Sequence, residues 1–231
     1  SLYLISKMRV FLFIILVIYN VLSSTGQVAI IHDEDGWTNV RKSPDLNSEI
    51  IHKVYENDVF WYDIEDLKQN QEWISVFIPK NDYCLGNTEP SYIIGYIHSS
   101  RILPLDNLQK YTGNDFFFEY KLSEFDSTNR IIDKQDGKWV VAIDGRPAWG
   151  TDGNYPKVQV DDITLIINGK EINIHKVFYS DIFECDNQML IYKNDETFFV
   201  HQWNSDGAGT YEIVWVFDQN GLKQRLVGLM F

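Results

Sequence analysis

Asp35-Gly36-Trp37-Thr38-Asn39-Val40-Arg41, followed at once by Lys42-Ser43-Pro44, decides how the first third of this chain reads. Gly36 takes a positive φ without steric cost, so Asp33-Glu34-Asp35-Gly36 is a turn. From Trp37 to Arg41 large or apolar side chains alternate with polar ones, the period of a half-buried strand. Pro44 cannot donate to a ladder, so 43–48 is a loop. Further on, Gly95-Tyr96-Ile97-His98-Ser99-Ser100-Arg101-Ile102 matches it. The two segments bracket one small all-β module.

Between and around them, short apolar or alternating runs at 28–31, 50–54, 59–62, 72–78, 93–97 and 101–103 read as strands. About six short strands in so little chain suit a small closed barrel. The "DGWTNVR" stretch with its Ser-Pro loop, the "EWISV" strand and the "GYIHSSRI" ending, in that order, resemble the successive segments of a bacterial SH3 (SH3b) domain. The resemblance covers about residues 28–105. It implies an SH3-like barrel that recognises peptide or cell-wall (peptidoglycan) material and carries no chemistry of its own. Two segments depart from the family pattern. Residues 80–92, including Cys84, form a longer loop than the usual hairpin connection, and 63–71 is also long and polar. Either reshapes a binding surface or decorates it.

Residues 106–114 are polar and read as a linker. Beyond them, 115–231 reads as an antiparallel β meander or sandwich. Asp136-Gly137, Asp144-Gly145, Asn168-Gly169 and Asp218-Gln219-Asn220-Gly221 are turn signals, Asp-Gly and Asn-Gly being the strongest for hairpins. Strands are expected at 116–125, 138–143, 158–167, 170–174, 189–193, 197–203, 211–217 and 222–230, with a helical turn somewhere in 177–183. The chain as a whole is therefore expected to be all-β.

At the N-terminus, Met8-Arg9 and the apolar run 10–22 precede Ser23-Ser24-Thr25-Gly26. This is the pattern of a secretory signal peptide, residues 1–26, cleaved between Gly26 and Gln27, with 1–7 upstream of the start. A permanent anchor needs about 20 apolar residues, and this run is shorter and includes Asn20. The expected location is the periplasm or outside the cell, with no stable membrane insertion after cleavage. Losing Lys7 and Arg9 takes the formal charge from −13 to −15. Such acidity argues against nucleic acid as a partner. Acidity also leaves room for a rival role, an immunity or inhibitor protein whose surface steers a basic secreted toxin or hydrolase.

No catalytic set is visible. Cys185 is the one thiol of the second half, and Glu184 and Asp186 beside it disfavour the thiolate a nucleophile needs. There is no Gly-x-Ser-x-Gly, and the five histidines have no HExxH or i, i+4 spacing. Asp152, Asp161, Asp162 and Asp206 are loop carboxylates suited to calcium in type but not in spacing, and turn chemistry explains them more simply. No cofactor or metal is expected. Cys84 and Cys185 either pair or stay as separate buried thiols; spacing leaves both open.

Aromatic residues carry the better functional signal. Trp73 and Trp215 sit mid-strand among apolar neighbours and read as buried. Trp149, in Pro147-Ala148-Trp149-Gly150-Thr151-Asp152-Gly153, is harder to bury; it either packs on the neighbouring module or grips a ligand. In the barrel, a peptide ligand is expected beside the 33–37 turn and the segment after Gly95. The candidate contacts are Trp37, Asn39, Arg41, Tyr96, His98 and Arg101, with Trp149 from the second half. The competing reading of Asn39 and Arg41 is structural, with their polar groups spent on loop carbonyls and Asp side chains.

Overall fold

The computed structural model describes residues 27–85, 92–204 and 209–228. The expected signal segment, Asp206 and the end of the last expected strand lie outside the described residues, as does the middle of the 80–92 loop. Every ladder between the strands named below is antiparallel, and the protein is all-β with one short helix.

The first unit contains β1 (Val28–Ile31), β2 (Trp37–Arg41), β3 (Ile50–Tyr55), β4 (Phe60–Tyr62), β5 (Trp73–Pro79), β6 (Tyr92–His98) and β7 (Ile102–Pro104). They hydrogen-bond in the order β3-β2-β6-β5-β4-β1-β7. Strand alternation sorts the side chains. Val40, Val54, Ile74, Val76, Ile78 and Ile97 point into one core with Ala29, Ile31 and Phe60. Trp37, Asn39 and Arg41 on β2, Tyr96 and His98 on β6, and Trp73 on β5 have the opposite parity and are only partly buried. The polar 63–71 segment is not a plain loop. It holds α1 (Ile64–Lys68), capped by Asp63, whose carboxylate accepts from Glu65 N at 2.9 Å.

The second unit contains β8 (Phe116–Glu124), β9 (Ile132–Gln135), β10 (Trp139–Ile143), β11 (Arg146–Pro147), β12 (Val158–Ile167), β13 (Lys170–Glu171), β14 (Leu190–Asn194), β15 (Thr197–Asn204), β16 (Tyr211–Asp218) and β17 (Gly221–Gly228). They form three sheets, β11-β10-β9, β13-β12-β8 and β14-β15-β16-β17. The Asn168-Gly169 and Asp144-Gly145 pairs turn with φ of 52° and 75°, and 53° and 72°, as a two-residue hairpin loop with both centres left-handed requires. The strand expected at 170–174 stops at Glu171, after which Ile174 buries into the core. The helical turn expected in 177–183 is a 3-10 turn over Lys176–Phe178.

The four-stranded sheet is covered on both faces. Phe198, Val200, Tyr211, Ile213, Trp215 and Phe217 pack one face against Phe116, Phe118, Tyr120, Ile163 and Leu165 of β8 and β12. Phe199, Val214 and Val216, of opposite parity, pack the other face against Val28, Ile30, Val59 and Trp61 of the first unit. This is why β1 is buried at all four positions and β16 at seven of eight: neither strand has a solvent face. The 106–114 stretch also lies against the second unit, with Tyr111 N donating to Ile191 O (2.8 Å) and Lys110 bridging to Tyr192.

The described part of the 80–92 loop is spent on this junction. Arg225 N donates to Asp82 O (2.9 Å) and Arg225 Nη1 to Tyr83 O (3.0 Å), while Arg225 Nη2 meets Asp181 Oδ1 at 2.7 Å. The Tyr83 ring packs on Phe178. Cys84 and Cys185 are both free thiols.

Candidate functional site

The outward parity of β2, β5 and β6 assembles a groove of about 390 Å3 on the solvent face of the first unit. Trp37, Asn39, Arg41, His98 and Arg101 line it together with Trp73 and Asp33. Each is held by its own local contacts. Trp37 carries the Lys53 ammonium 3.6 Å above its ring centroid. Arg41 Nη1 donates to Ser48 O at 2.8 Å, which pins the guanidinium against the 43–48 loop. Arg101 Nη1 meets Asp33 Oδ1 at 3.0 Å, and the same oxygen accepts from Asp35 N, so the turn and the groove wall are fastened together.

His98 caps the 3-10 turn over Ser99–Arg101, its Nδ1 accepting from Ser100 N at 3.2 Å. Ser100 Oγ lies 2.8 Å from the same nitrogen, and Nε2 lies 3.5 Å from Glu72 Oε1. Trp73 stands edge-on to this imidazole, with ring centroids 5.5 Å apart. Asn39 differs from its neighbours: its Oδ1 is buried without a hydrogen-bond partner. A buried amide oxygen left unpaired costs about 1–3 kcal/mol, and Asn39 is the groove residue that carries this cost.

Two of the expected contacts lie elsewhere. Tyr96 pairs with Arg41 across β2 and β6 but does not line the groove. Trp149 packs within the second unit, its ring 6.3 Å from Tyr211, and bridges to Ile182. Trp149, Tyr96 and the described residues of the 80–92 loop therefore do not line the groove. Of the two readings of Arg41, the loop carbonyl is occupied as the structural one requires; for Asn39 Oδ1 it is not.

The structure adds Trp73 and Asp33, and corrects the expectation that Trp73 is buried. The signal was present in the strand. Ile74, Val76 and Ile78 are the aliphatic set of β5, so Trp73 belongs to the opposite face.

Elsewhere Cys185, His175 and His201 are engaged in structure. Burial pushes the Cys185 thiol up to about 12, and the Asp186 and Glu184 carboxylates add to that. Expectation named the carboxylates; burial is the larger cause. His201 Nε2 lies 2.6 Å from Glu212 Oε1 in the packed interior, and His175 Nδ1 accepts from Val177 N, so each imidazole has a partner other than the thiol. Among the described residues no three His, Cys, Asp or Glu side chains gather as a metal set. Among them, too, no helix is long and apolar enough to cross a membrane. Comparison with family models, curated proteins and solved structures finds no match to this chain.

Proposed function

We propose that this chain is an exported, non-catalytic binding protein whose SH3b-like first unit takes extended peptide, the peptide part of peptidoglycan in particular, into the groove between Trp37 and Trp73. One observation carries the reading: residues spread from Asp33 to Arg101 meet on the solvent face rather than in the core. They supply two aromatic walls and two guanidinium groups suited to carboxylates. The set offers donors, acceptors and apolar surface, and the contact of Ser100 Oγ with His98 Nδ1 at 2.8 Å belongs to the cap of the local 3-10 turn, which supports recognition over catalysis.

The test is co-sedimentation of the purified protein with isolated peptidoglycan. Wild type is expected in the pellet, and Trp37→Ala in the supernatant with an unchanged melting temperature. Wild type remaining in the supernatant overturns the wall reading. Stoichiometric capture of one basic protein from an envelope extract would replace it with the inhibitor role.

A further inference from the structure

The arginines of this protein differ in their partners. Arg101, Arg130, Arg146 and Arg225 each meet an aspartate, and Arg41 is the one arginine of the described residues that forms no ion pair. Its Nη1 donates to a neutral carbonyl, Ser48 O. The carboxylates of the adjoining loop are turned to other partners: Asp45 Oδ1 accepts from Asn47 N, and Glu49 pairs with Lys42 at 3.0 Å. A guanidinium carries five N–H donors in a planar fork and is always charged. In a chain of formal charge −13, this half-buried cation lines the groove without a counter-charge among the described residues.

Arg41 also stands where the groove ends. β2 and β6 share a single pair, Arg41 with Tyr96, and Tyr96 does not line the groove. From that pair the lining runs back along β2 through Asn39 and Thr38 to Trp37, and forward from His98 to Ser100 and Arg101. The 43–48 loop, tied to Arg41 through Ser48, adds the exposed side chain of Leu46. Four residue steps along β2 separate Arg41 from Trp37, about 13 Å at strand spacing. Beyond Trp37 lie Asp35 and Asp33, and Asp33 already neutralises Arg101. The groove is thus cationic at its Arg41 end and acidic at the other.

Resting on the groove reading above, we propose that Arg41 receives the free C-terminal carboxylate of the bound peptide, whose preceding residues lie along β2 toward Trp37 and Asp35. The chemistry selects this group. A carboxylate offers two coplanar oxygens to the guanidinium fork and supplies the counter-charge that Arg41 lacks. A chain passing through would have to continue over the Arg41–Tyr96 pair, where the groove has no lining residue. A peptide in the reverse direction would set its ammonium on Arg41 and its carboxylate beside Asp33 and Asp35, and like charges so placed repel. About four residues fit between the two ends at strand spacing. The protein then recognises a peptide by its terminus, and a peptide whose terminal carboxyl is already joined in an amide binds weakly.

The test titrates the purified protein with a stem tetrapeptide carrying a free C-terminal carboxylate and, separately, with the same peptide as its C-terminal amide. Wild type is expected to bind the free acid about 10- to 100-fold more tightly than the amide, the scale of one charge-assisted contact. In Arg41→Gln, checked by thermal unfolding, the two peptides should bind alike. Arg101→Gln should keep the preference, because Asp33 already neutralises that guanidinium. Wild type that binds both peptides equally overturns the terminus inference, leaves the groove reading intact and needs no variant to fold. A preference kept in Arg41→Gln, or lost in Arg101→Gln, overturns the assignment to Arg41. Wild type that binds neither peptide overturns the groove reading and the inference with it.

Discussion

Gln224 and Val59, 165 positions apart, share two hydrogen bonds: Val59 N donates to Gln224 Oε1 at 2.7 Å, and Gln224 Nε2 donates to Val59 O at 2.8 Å. One side-chain amide thus stands in for a neighbouring strand and joins the last strand of the second unit to the first. Both residues are buried. Gln224→Ala leaves the Val59 N–H and C=O without partners, and each costs about 1–3 kcal/mol when unsatisfied. A loss of about 2–4 kcal/mol is therefore expected in urea unfolding. The unfolding should stay a single transition for Trp fluorescence and circular dichroism, because Val28, Ile30 and Trp61 are in one apolar cluster with Val214 and Val216. Two separated transitions would contradict a continuous junction.

Arg225 and Asp181 form a buried pair, and Arg225 also donates to the Tyr83 carbonyl. Asp181→Ala removes the counter-charge from a fully buried guanidinium. Breaking such a pair on one side costs about 3–5 kcal/mol. Asp181→Asn, which keeps an acceptor oxygen, should lose less. Equal losses for the two variants, measured by denaturant midpoint at fixed slope, would show that charge is not the operative term.

Asp58 gives a pH dependence. Burial raises its carboxyl above the usual 3.8 and the Asp82 charge adds to this, against a hydrogen bond from Tyr55 N. The folded state therefore holds this proton more tightly than the unfolded one, and the contribution of Asp58 to stability falls as pH rises from 3.8 through the folded value. Asp58→Asn keeps an acceptor for Tyr55 N and removes the charge. It should gain stability over wild type at pH 7 and show no gain at pH 3. The same difference at both values would contradict the assignment.

Both thiols are free, and burial raises each pKa. A thiol-reactive chromophore at pH 8, without reductant, should label neither quickly in the native protein and both once it is unfolded in guanidinium. Fewer than two thiols after unfolding would mean that Cys84 and Cys185 are bridged.

Much of this architecture is written in local residue patterns. The Asn168-Gly169 and Asp144-Gly145 turns, and the alternation along 37–41 and 73–78, place strands and faces directly. The groove was legible to the same extent, since Trp37, Asn39, Arg41, His98 and Arg101 share one parity or follow it into the next turn. β9 was not legible, because Ile132-Asp133-Lys134-Gln135 has a single apolar residue and is held as a strand by pairing with β10. Contact between the units was written in the continuous run Val28-Ala29-Ile30-Ile31, which has no polar face to give to water, but nothing local says what covers the second side. Trp149 shows the converse: its loop context left open packing on the neighbouring module or gripping a ligand, and the ring packs within its own unit, 6.3 Å from Tyr211.

The most direct measurement on the central claim is a titration of the indole N–H resonances of the 15N-labelled protein with a peptidoglycan stem tetrapeptide. The groove reading predicts that the Trp37 and Trp73 signals move together and saturate, while those of Trp149 and Trp215 stay in place. Stationary Trp37 and Trp73 signals at saturating peptide, or movement confined to Trp149, would contradict it.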